Sequence, residues 1–238
     1  MKTLLLKLAG PLQSWGTHSH FEVRNTDPYP SKSAIIGLIA AAYGYRREGS
    51  DEDIERLNRL DFAVRIDQPG NLLQDFHTAH PVSSKGDIRQ AYVTRRYYLQ
   101  DAIFVVALGG DDEFIDAVLR AVSHPYFQGF LGRRSLPLLD DFILDISGKG
   151  VIEAIQSAPW QAADWYKKKH RTSQYDAEIY ADANLAENQQ TFMARDRAVS
   201  FSQQHRLHGF RPVVRIREVM SHAVSETDHD VFSSLGGE

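Results

Sequence analysis

Two adjacent guanidinium groups inside a glycine-bracketed segment are the first feature with chemical content. In GFLGRRSLPL, Gly129–Leu138, the glycines permit close backbone approach, and Arg133 and Arg134 offer forked donors that match phosphate oxygens. The alternative is a solvated turn in which both pair with Asp140 and Asp141. The neighbours Tyr126, Phe127 and Phe130 are either base-stacking surfaces or core. A second pair, Arg95 and Arg96, adjoins Tyr97 and Tyr98. In an extended strand, alternation puts one Arg and one Tyr on each face, which suits a finger that wedges RNA, or equally a ribbon whose stems cover its own surface. A third concentration mixes cations and aromatics as single-strand grooves do: Arg195, Arg197, Arg206 and Arg211 with His205, His208, Phe201 and Phe210. Lys167–Arg171, KKKHR, reads as a solvated basic face.

Other chemistries are poorly served. The ten histidines include His18-x-His20 and His77-x-x-His80, yet neither pair has a third ligand at motif spacing, so no metal and no cofactor is expected. Cysteine is absent, which removes thiolate nucleophiles, disulfides and Cys-type zinc sites. Phosphate-loop, dinucleotide, Gly-x-Ser-x-Gly and HExxH motifs are missing.

Composition sets the frame for these groups. A chain of 238 residues with 42% hydrophobic and 24% charged content is an ordinary globular sequence, expected to bury about 70–75% of its unfolded surface. Its net charge of −4 argues against non-specific coating of nucleic acid but leaves room for a local basic groove. Charge is unevenly placed, since Glu48–Asp61 and Asp111–Asp116 are mostly acidic whereas Arg195–Arg217 holds six Arg and one Asp. The longest apolar run, Ala34–Tyr43, is far short of the ~20 residues of a membrane span, and no signal-peptide cleavage pattern follows the amino terminus. A cytoplasmic protein with no membrane contact is expected.

The elements that must position the cations follow from periodicity. Lys2–Ala9 reads as a buried strand, Ala34–Tyr43 as a helix capped by Ser33 and stopped by Gly44, and Asp51–Leu60 as an exposed helix. Phe62–Ile66 and a long Tyr92–Leu108 read as strands, with Asp75–Gln90 as the tip of a protruding hairpin between them. Asp112–Ser123 is a helix and Phe142–Ile146 a fourth strand. The residues between Gly10 and Ser33 form a long aromatic loop, too rich in Trp15, Phe21 and Tyr29 for disorder. The order predicts an α+β, ferredoxin-like (RRM-like) domain over residues 1–147. A small C-terminal β-rich domain follows over 148–238, with a short helix at Val151–Ile155, a polar and poorly periodic Gln161–Gln190, and a frayed tail at Glu226–Glu238.

Several segments in register carry a likeness. AGPLQSWG at Ala9–Gly16, YPSKSAIIGLIAAAYG at Tyr29–Gly44, DFHT at Asp75–Thr78, YYLQDA at Tyr97–Ala102, FLGRRSLPL at Phe130–Leu138 and FMARDRAVSF at Phe192–Phe201 closely resemble the CasD family, RAMP-superfamily subunits of the type I-E CRISPR surveillance complex Cascade. The resemblance implies a RAMP fold with a β-hairpin thumb at about His77–Tyr98. It implies a non-catalytic subunit that grips the 5′ handle of the crRNA and caps the backbone filament in antiviral defence. The implied partners are the crRNA handle, the Cascade backbone and large subunits, and target DNA near the thumb. By motif position, Arg96, Arg133 and Arg134 become the leading RNA contacts, and Gln13, Trp15, Ser31, Lys32 and Ser33 line the handle groove. Arg24, His77, Arg95, Tyr98, Phe130, Arg195 and Arg197 complete the expected set. Phe130 stands where that family often has Tyr, which removes a phenolic hydrogen bond and keeps a stacking ring. The competing expectation, implied by RAMP proteins of another CRISPR subtype that cut the repeat themselves, is a metal-independent endoribonuclease processing CRISPR repeat RNA, with His77, His80, Lys85 and Tyr98 as the available acid and base groups.

Overall fold

The computed structural model describes residues 1–17, 22–47, 51–80, 91–170 and 174–221. His18, His20, Phe21, Lys85, Arg171, most of the hairpin tip and the tail Glu226–Glu238 lie outside the described residues.

The main sheet has seven strands: β1 (Lys2–Ala9), β4 (Asp61–Gln68), β7 (Ile103–Gly110), β8 (Ile143–Ser147), β9 (Gln174–Asp182), β10 (Thr191–Ser200) and β11 (Leu207–Ser221). All pair antiparallel, in the order β10-β11-β9-β4-β7-β1-β8. Side-chain alternation divides the core between two faces. Leu4, Leu6, Leu8, Phe62, Val64, Phe104 and Val106 pack with helices α1 (Lys32–Ala42), α2 (Asp51–Asn58) and α3 (Asp112–Ser123). Leu5, Ala63, Val105 and Ala107 face α4 (Val151–Ser157) on the other side. Coverage of both faces explains why Ala102–Leu108 is continuously apolar. Among the described residues no helix is long and apolar enough to cross a membrane.

A second, smaller sheet holds β2 (Leu12–Gln13), β6 (Tyr92–Gln100) and β3 (Val23–Arg24), with β5 (Asn71–Ala79) pairing β6. The single long strand expected over Tyr92–Leu108 is therefore two strands in two sheets. Asp101 breaks it by adopting a left-handed φ of 56°, and its amide donates to Pro11 O at 3.1 Å. Gly70, at φ 72°, turns the partner strand at the same level, where a Cβ would sit 2.5 Å from Gln100 O. The helix expected from Ala34 begins earlier, because Ser31 rather than Ser33 is the N-cap and accepts from Ala34 N at 3.3 Å. Gly44 does close the far end, at φ 79° with its amide on Ala41 O at 3.0 Å.

The strands beyond residue 148 continue the same sheet, since β9 hydrogen-bonds β4 from Ala63↔Ala181 to Ile66↔Glu178. The polar stretch Gln161–Gln190 contains α5 (Asp164–Lys169) and β9. Its inward positions include Ala177, Ile179 and Ala181, all fully buried, and alanine gives a weak apolar signal.

Four buried charges join this extension to α1. Lys32 Nζ lies 2.8 Å from Asp182, and Arg211 lies 2.7 Å from both Asp182 and Asp196. The Lys32 amide, one of the unpaired donors at the helix start, donates to Asp196 at 2.8 Å, and Phe62 N donates to Asp182 at 2.9 Å. Two cations against two carboxylates leave the cluster neutral. On the opposite face, Arg65 is fully buried, bidentate with Asp67 at 2.6 and 3.0 Å, and donates to Ala158 O and Pro159 O at the end of α4.

Arg211→Met leaves two carboxylates short of a cation and should lower unfolding free energy by about 3–5 kcal/mol in urea titration. Arg197→Ala removes an exposed pair with Glu55 and should cost under about 1 kcal/mol.

Candidate nucleic-acid interface

Helix α1 with the segments on either side of it, the loop after α3 and the β10–β11 turn enclose a cleft of about 870 Å³. Five guanidiniums line it, Arg24, Arg46, Arg47, Arg195 and Arg206, against two carboxylates, Asp51 and Asp53. The aromatic rings of Trp15, Tyr45, Phe127, Phe130 and Phe201 line the same cleft. On a chain of net charge −4 this is a local excess of positive charge with flat apolar surfaces between. Such a wall suits phosphates together with unpaired bases.

The residues expected to line the groove divide into two groups. Trp15, Ser31 and Ser33 form part of the cleft wall, although all three are mostly buried. Gln13 and Lys32 face inward. The Gln13 amide donates to Leu8 O at 3.1 Å and Ala102 O at 2.7 Å, and its oxygen accepts from the Trp15 indole at 3.0 Å. Lys32 Nζ is held against Asp182 at 2.8 Å, so both side chains are buried and engaged within the protein. Arg211, grouped with the groove cations on its aromatic neighbours, is likewise held between Asp182 and Asp196.

The glycine-arginine segment does two jobs. Gly132, at φ 84°, presses on the backbone of Ser14, where a Cβ would lie 1.7 Å from Ser14 O. Arg133 turns inward, stacks over the Tyr98 ring at 4.2 Å, and donates to Arg24 O at 2.9 Å and Tyr97 O at 3.1 Å. Ser14 Oγ donates to the same Tyr97 carbonyl at 3.2 Å. Arg133 is thus a rivet between the loop and the base of the β5–β6 hairpin. Arg134 is exposed. Phe130 stands on the cleft wall, 36% exposed.

On the hairpin, Arg95 and Tyr97 alternate with Arg96 and Tyr98. Tyr98 is buried, Arg95 exposed and Arg96 half-buried. His77 Nε2 lies 3.0 Å from Asp75, and both are partly exposed. Arg195 lines the cleft, whereas Arg197 reaches Glu55 at 2.6 Å. Sequence reasoning misses Arg46, Arg47 and Tyr45 because the acidic run after Glu48 dominates that region. An Arg pair placed just after a helix-stopping glycine is the available signal.

His208 also lines the cleft. Burial pushes its pKa below the ordinary histidine value, and the Arg206 and Arg195 charges push it the same way against Asp196. Both influences favour the neutral ring.

A family model, the CRISPR-associated protein Cas5, matches residues 3–214. The chain belongs to this family. It is similar to the CRISPR system Cascade subunit CasD of Escherichia coli strain K12, with 29% identity over 209 residues, 81% of this chain and 87% of that one. A chain of a CRISPR RNA-guided surveillance complex superposes with a TM-score of 0.77 at 30% identity, covering 98% of the Cas5 chain and 97% of its counterpart. A crystal structure of a Cas protein aligns at TM-score 0.60 and 31% identity, covering 92% and 95%.

Arg133→Ala should lower stability by about 1.5–3 kcal/mol, because two carbonyls lose a charged donor, while Arg134→Ala stays within about 0.5 kcal/mol. Thermal melts of both variants check this. For His208, the unfolded chain binds the proton first, so stability is full above about pH 6.5 and declines as pH falls toward the lower folded pKa. The loss between pH 7.5 and 5.5 in urea titrations should shrink in His208→Gln.

Proposed function

We propose that this Cas5-family chain is a non-catalytic RNA-binding subunit of a type I-E CRISPR Cascade complex. In this reading it grips the 5′ handle of the crRNA and caps the backbone filament in antiviral defence. The observation that carries the reading is the arginine- and aromatic-lined cleft on an otherwise acidic chain. Single-stranded RNA with splayed bases is held by stacking on rings and by guanidiniums on phosphates. The likeness to a Cascade subunit and to a chain of an RNA-guided surveillance complex supports the same partner. Handle RNA lies in the cleft, and backbone and large subunits flank it.

We read the four strands β4-β7-β1-β8, with α1 and α3 on one face, as the ferredoxin-like unit, and the β5–β6 hairpin as the thumb. Arg95 and Arg96 there approach the guide and the target DNA paired with it. The protein supplies shape and backbone contacts while base pairing reads the target. This role belongs in the cytoplasm.

Repeat cleavage is the alternative. It requires an acid and a base on either side of one phosphate. His77 is paired with Asp75 on the hairpin and is not among the residues lining the cleft, and Lys85 lies outside the described residues.

The test is Arg195→Ala with Arg206→Ala in the reconstituted complex with labelled crRNA. RNA affinity should fall and the salt slope flatten by about 1.4, at ~0.7 for each phosphate no longer neutralised. An unchanged slope with full RNA retention would remove the cleft as the binding site. Incubation of the protein with labelled repeat RNA should leave it intact, and site-specific cleavage abolished by His77→Ala would replace this reading with the nuclease.

A further inference from the structure

Tyr126 is 71% exposed, the most exposed of the large apolar side chains described, and Phe127 beside it is 45% exposed. Their backbone is nevertheless fixed. Tyr126 N donates to Ala42 O at 2.9 Å, and Phe127 N donates to Ala41 O at 3.1 Å beside the Gly44 amide, so the segment is tied to the last turn of α1. The two rings meet edge to face, with centroids 4.7 Å apart and planes at 82°. The base of the Tyr126 ring rests on Gly44, where an added Cβ would lie 2.8 Å from Cγ. Glycine is required there twice, for its φ of 79° and for this contact. An exposed aromatic normally costs entropy when it orders on a ligand, and here the backbone and one edge of the ring are ordered beforehand.

The position of this shelf gives its ligand. Phe127 belongs to the cleft wall, and Tyr45, Arg46 and Arg47 on the wall immediately follow Gly44 in sequence. Rings and guanidiniums on one wall fit a strand whose phosphates are neutralised and whose bases are unpaired. A protein hot spot would instead be ringed by groups that exclude water, with charge depleted at its centre.

We propose that Tyr126, the neighbour of the cleft-lining Phe127, is a stacking shelf that takes one unpaired base of the RNA as the strand leaves the cleft, with Phe127 fixing the angle of the ring. This rests on the reading that the cleft holds RNA. Specificity here is for an unpaired base of any identity, because every base presents a π face.

The experiment rebuilds the complex on guide RNAs carrying 2-aminopurine at one 5′-handle position at a time. In the wild type one position should be quenched. Tyr126→Ala should release that quenching and weaken RNA binding about 5-fold to 150-fold with an unchanged salt slope, and Tyr126→Phe should keep both. The hydrogen bonds at residues 126 and 127 come from the backbone, so the alanine variant retains the cap, and an unshifted melting temperature checks it. If RNA stays bound with Arg195 and Arg206 still setting the salt slope, but no position responds to Tyr126→Ala, the shelf is refuted and the cleft reading stands. Loss of a protein subunit from the Tyr126→Ala complex with quenching intact makes the residue a protein contact and refutes the shelf. If the Arg195 and Arg206 variants also leave RNA binding unchanged, both readings fall together.

Discussion

A neutral quartet of buried charges holds the two walls of the cleft in register. Lys32 opens α1, Asp182 ends β9, and Arg211 and Asp196 face each other across β11 and β10. The β10–β11 register shifts between Ala194 and Arg197, and this irregularity brackets Asp196. Such bulges re-aim side chains, and here the carboxylate reaches the amide of Lys32. The first turn of α1 has no acidic residue of its own, so a carboxylate from a distant strand supplies the negative charge that a helix start favours. Burial works against the Arg211 charge, but the two carboxylates outweigh it and raise its pKa. The ion network therefore fixes where Ser31 and Ser33 stand relative to Arg195.

Arginine performs three different tasks in this fold. Arg65 and Arg211 are internal fasteners, each matched to carboxylates and carbonyls that satisfy a planar fork. Arg133 is a half-buried rivet whose guanidinium stacks on Tyr98 and closes the hairpin base. Arg24, Arg46, Arg47, Arg195 and Arg206 face a shared cavity. Of these three groups it is the last that gathers charge around one cavity, which is how a net-negative chain can present a positive groove.

Much of the frame was legible in the residues. The strand at Lys2–Ala9, the helix at Asp112–Ser123 and the Gly44 stop were strong local signals, because apolar period and glycine conformation act over a few residues. The split of Tyr92–Leu108 was not, since Asp101 carries no feature that marks a left-handed turn until Gly70 and Pro11 are placed against it. β9 was obscured by small alanines at its core positions. The cleft was half legible, in that Arg195, Arg206 and Phe130 were marked by type and Arg46 and Arg47 were hidden by acidic neighbours.

By itself the sequence determined the inventory: no thiol chemistry, clustered guanidiniums interleaved with rings, and a family resemblance spread across most of the chain. Tertiary structure decided which of those guanidiniums are available. Lys32 and Asp182 are 150 residues apart, and Arg133 and Arg24 are 109 apart. Whether a cation faces solvent or a carboxylate depends on the partner the fold brings to it across such separations. Adjacent residues as alike as Arg133 and Arg134 therefore end in different settings, one stacked on Tyr98 and the other exposed.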